Sequence, residues 1–171
     1  MSRINENLKD KLLDEACKQI DTIGYGAMTM QSISKACGVA VGTVYNYYSS
    51  KDEILAAYLA KKWNKCIDTI YIVSRYSQTY DAVIRCIYDQ LKIFEADHQF
   101  LFADDDARNV MDAVLYRFQG LICRQLAQPL RKFSGSEIEA EIIAEALLIW
   151  IRTGKSFDDI YNNIVKLIEF K

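Results

Sequence analysis

The chain has 171 residues, 51% hydrophobic and 26% charged, with only seven glycines and one proline. That composition excludes disorder, collagen and low-complexity repeats, and it leaves too few turn residues for an all-β sandwich or barrel, so the implied fold class is all-α. The formal charge of −2 gives no global attraction to nucleic acid; residues 1–51 hold six Lys or Arg against five Asp or Glu, and residues 52–171 fifteen against eighteen. Any such function must rest on a local surface.

Apolar residues at helical spacing, Ile4, Leu8, Leu12, Ala16, Ile20 and Ile23, predict a first helix that Gly24-Tyr25-Gly26 ends. Thr29 offers a hydroxyl to cap a short second helix, Met30 to Cys37. Gly38-Val39-Ala40 makes a tight turn, and Val41 to Tyr47 gives about two turns of a third helix before Ser49-Ser50 interrupts it. Ile33, Ala36 and Val44 are expected to pack the second and third helices together. Ser50-Lys51-Asp52-Glu53 reads as a capping box, Ser50 capping and Glu53 reaching back, that opens a long fourth helix with apolar pairs every four residues.

Thr79 is expected to cap a fifth helix bearing Val83, Ile84, Ile87, Tyr88, Leu91 and Phe94, followed by an irregular stretch from His98 to Asp106. A long helix resumes near Ala107, and Pro129 should end or kink its last turns. Ser136 with Glu139 forms a second capping box for a helix running to Thr153, and Gly154-Lys155-Ser156 separates a last helix beginning at Phe157. About nine helices are expected. The last two carry more apolar residues than one core-facing stripe needs. Another copy of the chain is the simplest surface to bury the excess, and Ile142, Leu147, Trp150, Tyr161, Ile164 and Ile168 are the expected seam. A glutamate at Ile164 is accordingly expected to give monomers.

Five cysteines stand without a Cys-x-x-Cys pair, as reduced, mostly buried thiols would. Asn5, Glu6 and Asn7 are unlike a secretory leader, and the longest apolar run, Ile54 to Ala60, is far short of the roughly 20 residues of a membrane span. A soluble, cytoplasmic protein is expected, with no membrane partner.

Catalysis finds little support. His98 is the single histidine, with no nucleophile motif beside it. Glu95-Ala96-Asp97-His98 matches half of a di-iron helix-bundle motif, so a small helical metal-binding protein or enzyme centred on Glu95 and His98 is the rival reading. Asp104-Asp105-Asp106 lacks the further ligands and glycine of a calcium loop and reads as a helix cap. No cofactor is implied.

Two short helices joined by a glycine-bearing turn form a helix-turn-helix, whose second helix enters the DNA major groove. Here the residues resemble the TetR family of bacterial transcriptional regulators. The resemblance runs through Ala16, Gly24-Tyr25, Thr29, Ile33 and Ala36, then Gly38 to Tyr48, then Lys51-Asp52-Glu53-Ile54-Leu55. The family's usual Gly-Val-Ser-x-Gly-Thr-Leu-Tyr-x-Tyr-Phe is met with Ala40 for serine, Val44 for leucine and Tyr48 for phenylalanine, and Ser34 stands where alanine is common. Ala40 removes a hydroxyl that could cap the third helix or touch a phosphate.

The resemblance implies a DNA-binding domain at 1–50 and a helical effector-binding and dimerisation domain at 51–171. It implies a homodimer on a near-palindromic double-stranded operator, most simply a repressor released by an unknown small apolar or aromatic effector. Thr29 and Lys51 would contact phosphates, and so would Tyr45, whose phenol is a usual phosphate contact of the family. Val41, Gly42, Thr43 and Tyr47 would face the groove, the valine and threonine methyls meeting thymine methyls, and Asn46 could pair with adenine or only with the DNA backbone. Val44 and Tyr48 read as core. Trp63, Tyr88, Phe94, Phe100 and Tyr116 are candidate effector-pocket walls, although aromatics at helical spacing also read as plain core.

Overall fold

The computed structural model describes residues 5–169, with side chains described as far as Lys166. Eight helices lie among these residues, where about nine were expected, and no strand: α1 Glu6–Ala27, α2 Met30–Cys37, α3 Val41–Tyr47, α4 Lys51–Tyr76, α5 Tyr80–Ala103, α6 Asp105–Leu130, α7 Glu137–Arg152 and α8 Phe157–Glu169. They form two compact units, one reaching to Lys62 and including His98–Tyr116, the other made of Trp63–Asp97 and the chain from Arg117 onward.

In the first unit the break in α1 falls at Gly24, whose φ of 83° and ψ of 161° leave helical geometry where an L side chain would be strained. Thr29 caps α2 through a reciprocal pair, its Oγ1 accepting from the Ser32 N–H at 3.0 Å while its own N–H donates to Ser32 Oγ at 3.1 Å. Gly38, at φ 71° and ψ 33°, takes the left-handed turn between α2 and α3. Ala40 precedes α3 without a side-chain cap. Met30, Ile33, Ser34 and Cys37 form the buried stripe of α2, at offsets of three, four and seven residues. Ala36, expected to pack α2 on α3, falls outside that stripe and is exposed, whereas Ile33 and Val44 are fully buried. Fully burying a side chain such as Ile33 contributes about 1.5–3 kcal/mol.

Both capping boxes are offset by one residue. Ser50 and Ser136 accept from the N–H groups of Glu53 and Glu139, but each glutamate reaches back past the cap, to Ser49 and to Gly135. The supposedly irregular stretch from His98 to Asp106 is mostly helix. α5 continues to Ala103, and Asp104 alone separates it from α6, because buried Leu101 extends the apolar stripe and the Asp104 carboxylate caps the next helix. Pro129 stands one residue before the end of α6.

The core of the second unit gathers Ile70, Ile84, Ile87, Leu126, Ile143 and Leu147, with Ile160 and Ile164 of α8 buried beside them. α7 packs on α8 after a turn in which Gly154 takes φ 75°. The five cysteines are free, and no helix among the described residues is long and apolar enough to cross a membrane.

Candidate nucleic-acid interface

α3 is too short to hold itself together and is shaped by what it buries. Val44 and Tyr48 turn inward, the desolvated Tyr48 phenol being pushed up to about 12. The opposite side of the same two turns is left as surface: Val41, Gly42, Tyr45 and Asn46 are exposed, and Thr43 and Tyr47 partly so. Tyr45 keeps 51% of its surface exposed, although it sits directly beside Val44. Nothing lies within 4 Å of a Cβ built on Gly42, so this part of the helix offers a flat approach. The Tyr47 hydroxyl accepts from the Asn5 N–H at 3.1 Å, tying α3 to the start of α1 and leaving the phenolic proton free to be donated.

Thr29 stands exposed at the head of α2. Its oxygen serves the capping pair, and its hydroxyl proton faces no such demand. Lys51, at the start of α4, donates from Nζ to the Gly26 carbonyl at 3.1 Å and lies over the Tyr25 ring, 4.2 Å from its centroid. Tyr25 is in turn fixed by its hydroxyl, which donates to Asp52 Oδ1 at 2.6 Å; burial first, then the bond to Asp52, raises its phenol well above the usual range. An ammonium so held keeps two N–H groups for an anion. The tie from Asn5 to Tyr47 and the seat of Lys51 carry no local sequence signal, since their partners lie 42 and 25 residues away.

The proposed pocket aromatics are divided between the units. Trp63 donates to Gln125 Oε1 at 2.8 Å and meets Phe94 edge-on at 5.8 Å, while Tyr88 meets Phe157 edge-on at 5.6 Å, all in the second unit. Phe100 and Tyr116 belong to the first unit and are exposed, Tyr116 at 84%. On the expected self-association seam, Leu147 and Ile164 have no exposed surface and are core of the second unit itself, Trp150 and Tyr161 are half-buried, and Ile168 lies outside the residues whose side chains are described. Ile142 is exposed at 54%, joined on α7 by Ile138 at 69% and Ile149 at 59%.

Among the described residues no group of three His, Cys, Asp or Glu is placed to hold a metal ion. Glu95 is exposed and paired with Lys92 at 2.6 Å, whereas His98 is buried with its ring edge-on to Tyr58. The reading centred on Glu95 and His98 therefore has no ligand set behind it.

Among the described residues, a helix-turn-helix presents on its second helix an uncharged, half-polar face of the kind that fits a DNA major groove. Residues 12–58 match the family model of the bacterial regulatory proteins of the tetR family. The HTH-type transcriptional repressor KstR of Rhodococcus jostii (strain RHA1) is 23% identical over 179 positions, covering 98% of this chain and 84% of that protein. In fold the chain is similar to Thermus thermophilus FadR, a TetR-family repressor solved with lauroyl-CoA, at a TM-score of 0.62 and 17% identity over 94% of this chain and 92% of that one. It is likewise similar to the multidrug binding protein EbrR, solved with imidazole, at a TM-score of 0.58 and 12% identity over 94% of both. Residues 12–58 are thus similar to the N-terminal segment of the tetR family of bacterial regulatory proteins, and the chain as a whole is similar in fold to regulators that contain it.

Proposed function

We propose that residues 1–50 read a near-palindromic operator through α3 while residues 51–171 provide self-association and effector binding, and that the outcome is repression relieved by a small apolar or aromatic ligand. The observation that carries the DNA reading is the two-sidedness of α3, with Val44 and Tyr48 buried and Val41, Gly42, Thr43, Tyr45 and Asn46 left to solvent or partly so. Short aliphatic and hydroxyl groups around a glycine suit thymine methyls and close groove approach. Thr29, Tyr45 and Lys51 supply donors to phosphate, and Tyr47 stands between α3 and the start of α1.

Two copies of α3 would occupy successive major grooves, roughly 34–36 Å apart. The exposed Ile138, Ile142 and Ile149 of α7 are the apolar surface from which such a dimer would be made. Repression is supported by the relative from Rhodococcus jostii, itself a repressor, and an apolar or aromatic effector by the lauroyl-CoA and imidazole bound in proteins of the same fold. Trp63, Tyr88 and Phe94, all in the second unit, are the proposed effector contacts. The ligand would act by preferring the dimer spacing that does not fit DNA, a coupling typically of about 1–3 kcal/mol.

The test separates positioning from readout. Lys51→Ala is expected to weaken binding to every duplex alike and to flatten the salt dependence by about one ion, whereas Thr43→Ala relaxes discrimination at one base step. Fluorescence anisotropy on the DNA flanking its own gene and on random duplex reads both. Equal losses on both duplexes from both variants would contradict the assignment.

A further inference from the structure

Asp104, the one residue between α5 and α6, uses its two carboxylate oxygens for different tasks. Oδ1 caps α6, accepting from the N–H groups of Asp106 at 3.0 Å and Ala107 at 3.1 Å. Oδ2 accepts from the Gly26 N–H at 2.9 Å, 78 residues away in the end of α1 that follows its break at Gly24. A Cβ at position 26 would stand 3.2 Å from Oδ2, close enough to push the carboxylate back by a few tenths of an ångström, so glycine favours the approach. Gly26 is thus gripped at both ends, its N–H by Asp104 and its carbonyl by the Lys51 ammonium at 3.1 Å.

We infer that Asp104 is a positioning residue for DNA binding, which holds the Gly26 backbone where its carbonyl, with the Tyr25 ring, keeps the Lys51 ammonium at one place before DNA arrives. A free lysine side chain loses rotamer freedom when it is fixed on a phosphate; one already held loses less, and more of the contact appears as affinity. A cap alone needs only one of the two oxygens, so the bond to Gly26 is extra to it. Burial opposes ionisation of Asp104, but the N–H groups of Ala107, Gly26 and Asp106, and then the charge of Lys51, outweigh it and hold the carboxyl below its usual range. The inference rests on Lys51 being a phosphate contact.

Asp104→Ser keeps a capping hydroxyl for α6 but has no second oxygen for Gly26, and Asp104→Asn can serve only one of the two sites; serine and asparagine are both good caps. Charge counting alone says that removing an acid near DNA tightens binding. The positioning role says the opposite: binding of random duplex weakens several-fold, the slope of log affinity against log salt flattens by about one, and Lys51→Ala added to Asp104→Ser flattens it no further. If Lys51→Ala flattens the slope while Asp104→Ser and Asp104→Asn leave it unchanged or tighten binding, Asp104 is a cap only and the inference is wrong. If Lys51→Ala itself leaves the slope unchanged, the phosphate reading of Lys51 fails first and the inference with it.

Discussion

Ile164→Glu is expected to unfold the second unit instead of merely separating two copies. Ile164 is fully buried among Ile84, Ile87, Leu147 and the other core residues of that unit. A carboxylate there has no partner, and an unpaired buried charge costs about 3–5 kcal/mol, a large share of the roughly 5–15 kcal/mol that holds a domain folded. Ile142→Glu provides the contrast. That side chain is exposed at 54% in the protomer, so a charge there leaves helicity and melting temperature near wild type while converting dimers to monomers on sizing with light scattering. An Ile164→Glu protein that is folded and monomeric would reverse the two assignments, and an Ile142→Glu protein that remains a dimer would move the interface away from this face of α7.

Gly42→Glu is the second large effect, and it falls on function without touching stability. A Cβ at position 42 meets open space, and an acid in the first turn of a helix is favoured by the dipole, so the unfolding free energy should stay within about 0.5 kcal/mol of wild type. Against DNA the same group sets a negative charge in the groove and holds α3 off the bases. Like charges so placed cost several kcal/mol, and about 3 kcal/mol corresponds to roughly 100-fold in operator affinity. A Gly42→Glu protein that binds within threefold of wild type would show that α3 does not enter the groove.

The elements read most directly from sequence are those governed by chemistry within four residues. Gly24 and Gly38 mark left-handed positions, Thr29 and Ser136 mark helix starts, and α3 is bounded by a turn on one side and two serines on the other. The capping glutamates illustrate the limit of that reach, since Glu53 and Glu139 were expected at the cap residue and instead bond to the residue before it. The triple aspartate was read correctly as a cap, but it suggested a loop where α5 runs on to Ala103, because acidic composition masked the helical placement of Leu101.

Which side of an apolar helix faces inward is harder to read. α7 carries isoleucine or leucine on nearly every face, and only packing separates Ile143 and Leu147, which are buried, from Ile138, Ile142 and Ile149, which are not. The excess of apolar residues could be read from sequence; which of them stay exposed could not. In the candidate DNA surface the residue types of α3 were legible because the turn chemistry around them is specific. The grip on Lys51 was not, since Gly26, Tyr25 and Asp104 meet it only after folding.

On the proposed function, two copies of α3 read one duplex together. A footprinting titration on the DNA flanking its own gene tests it most directly. Two protected half-sites are expected, with centres roughly 34–36 Å apart, filled together by one dimer and bound at least about 1,000-fold more tightly than random sequence. Protection of a single half-site, or equal affinity for flanking and random DNA, would contradict it.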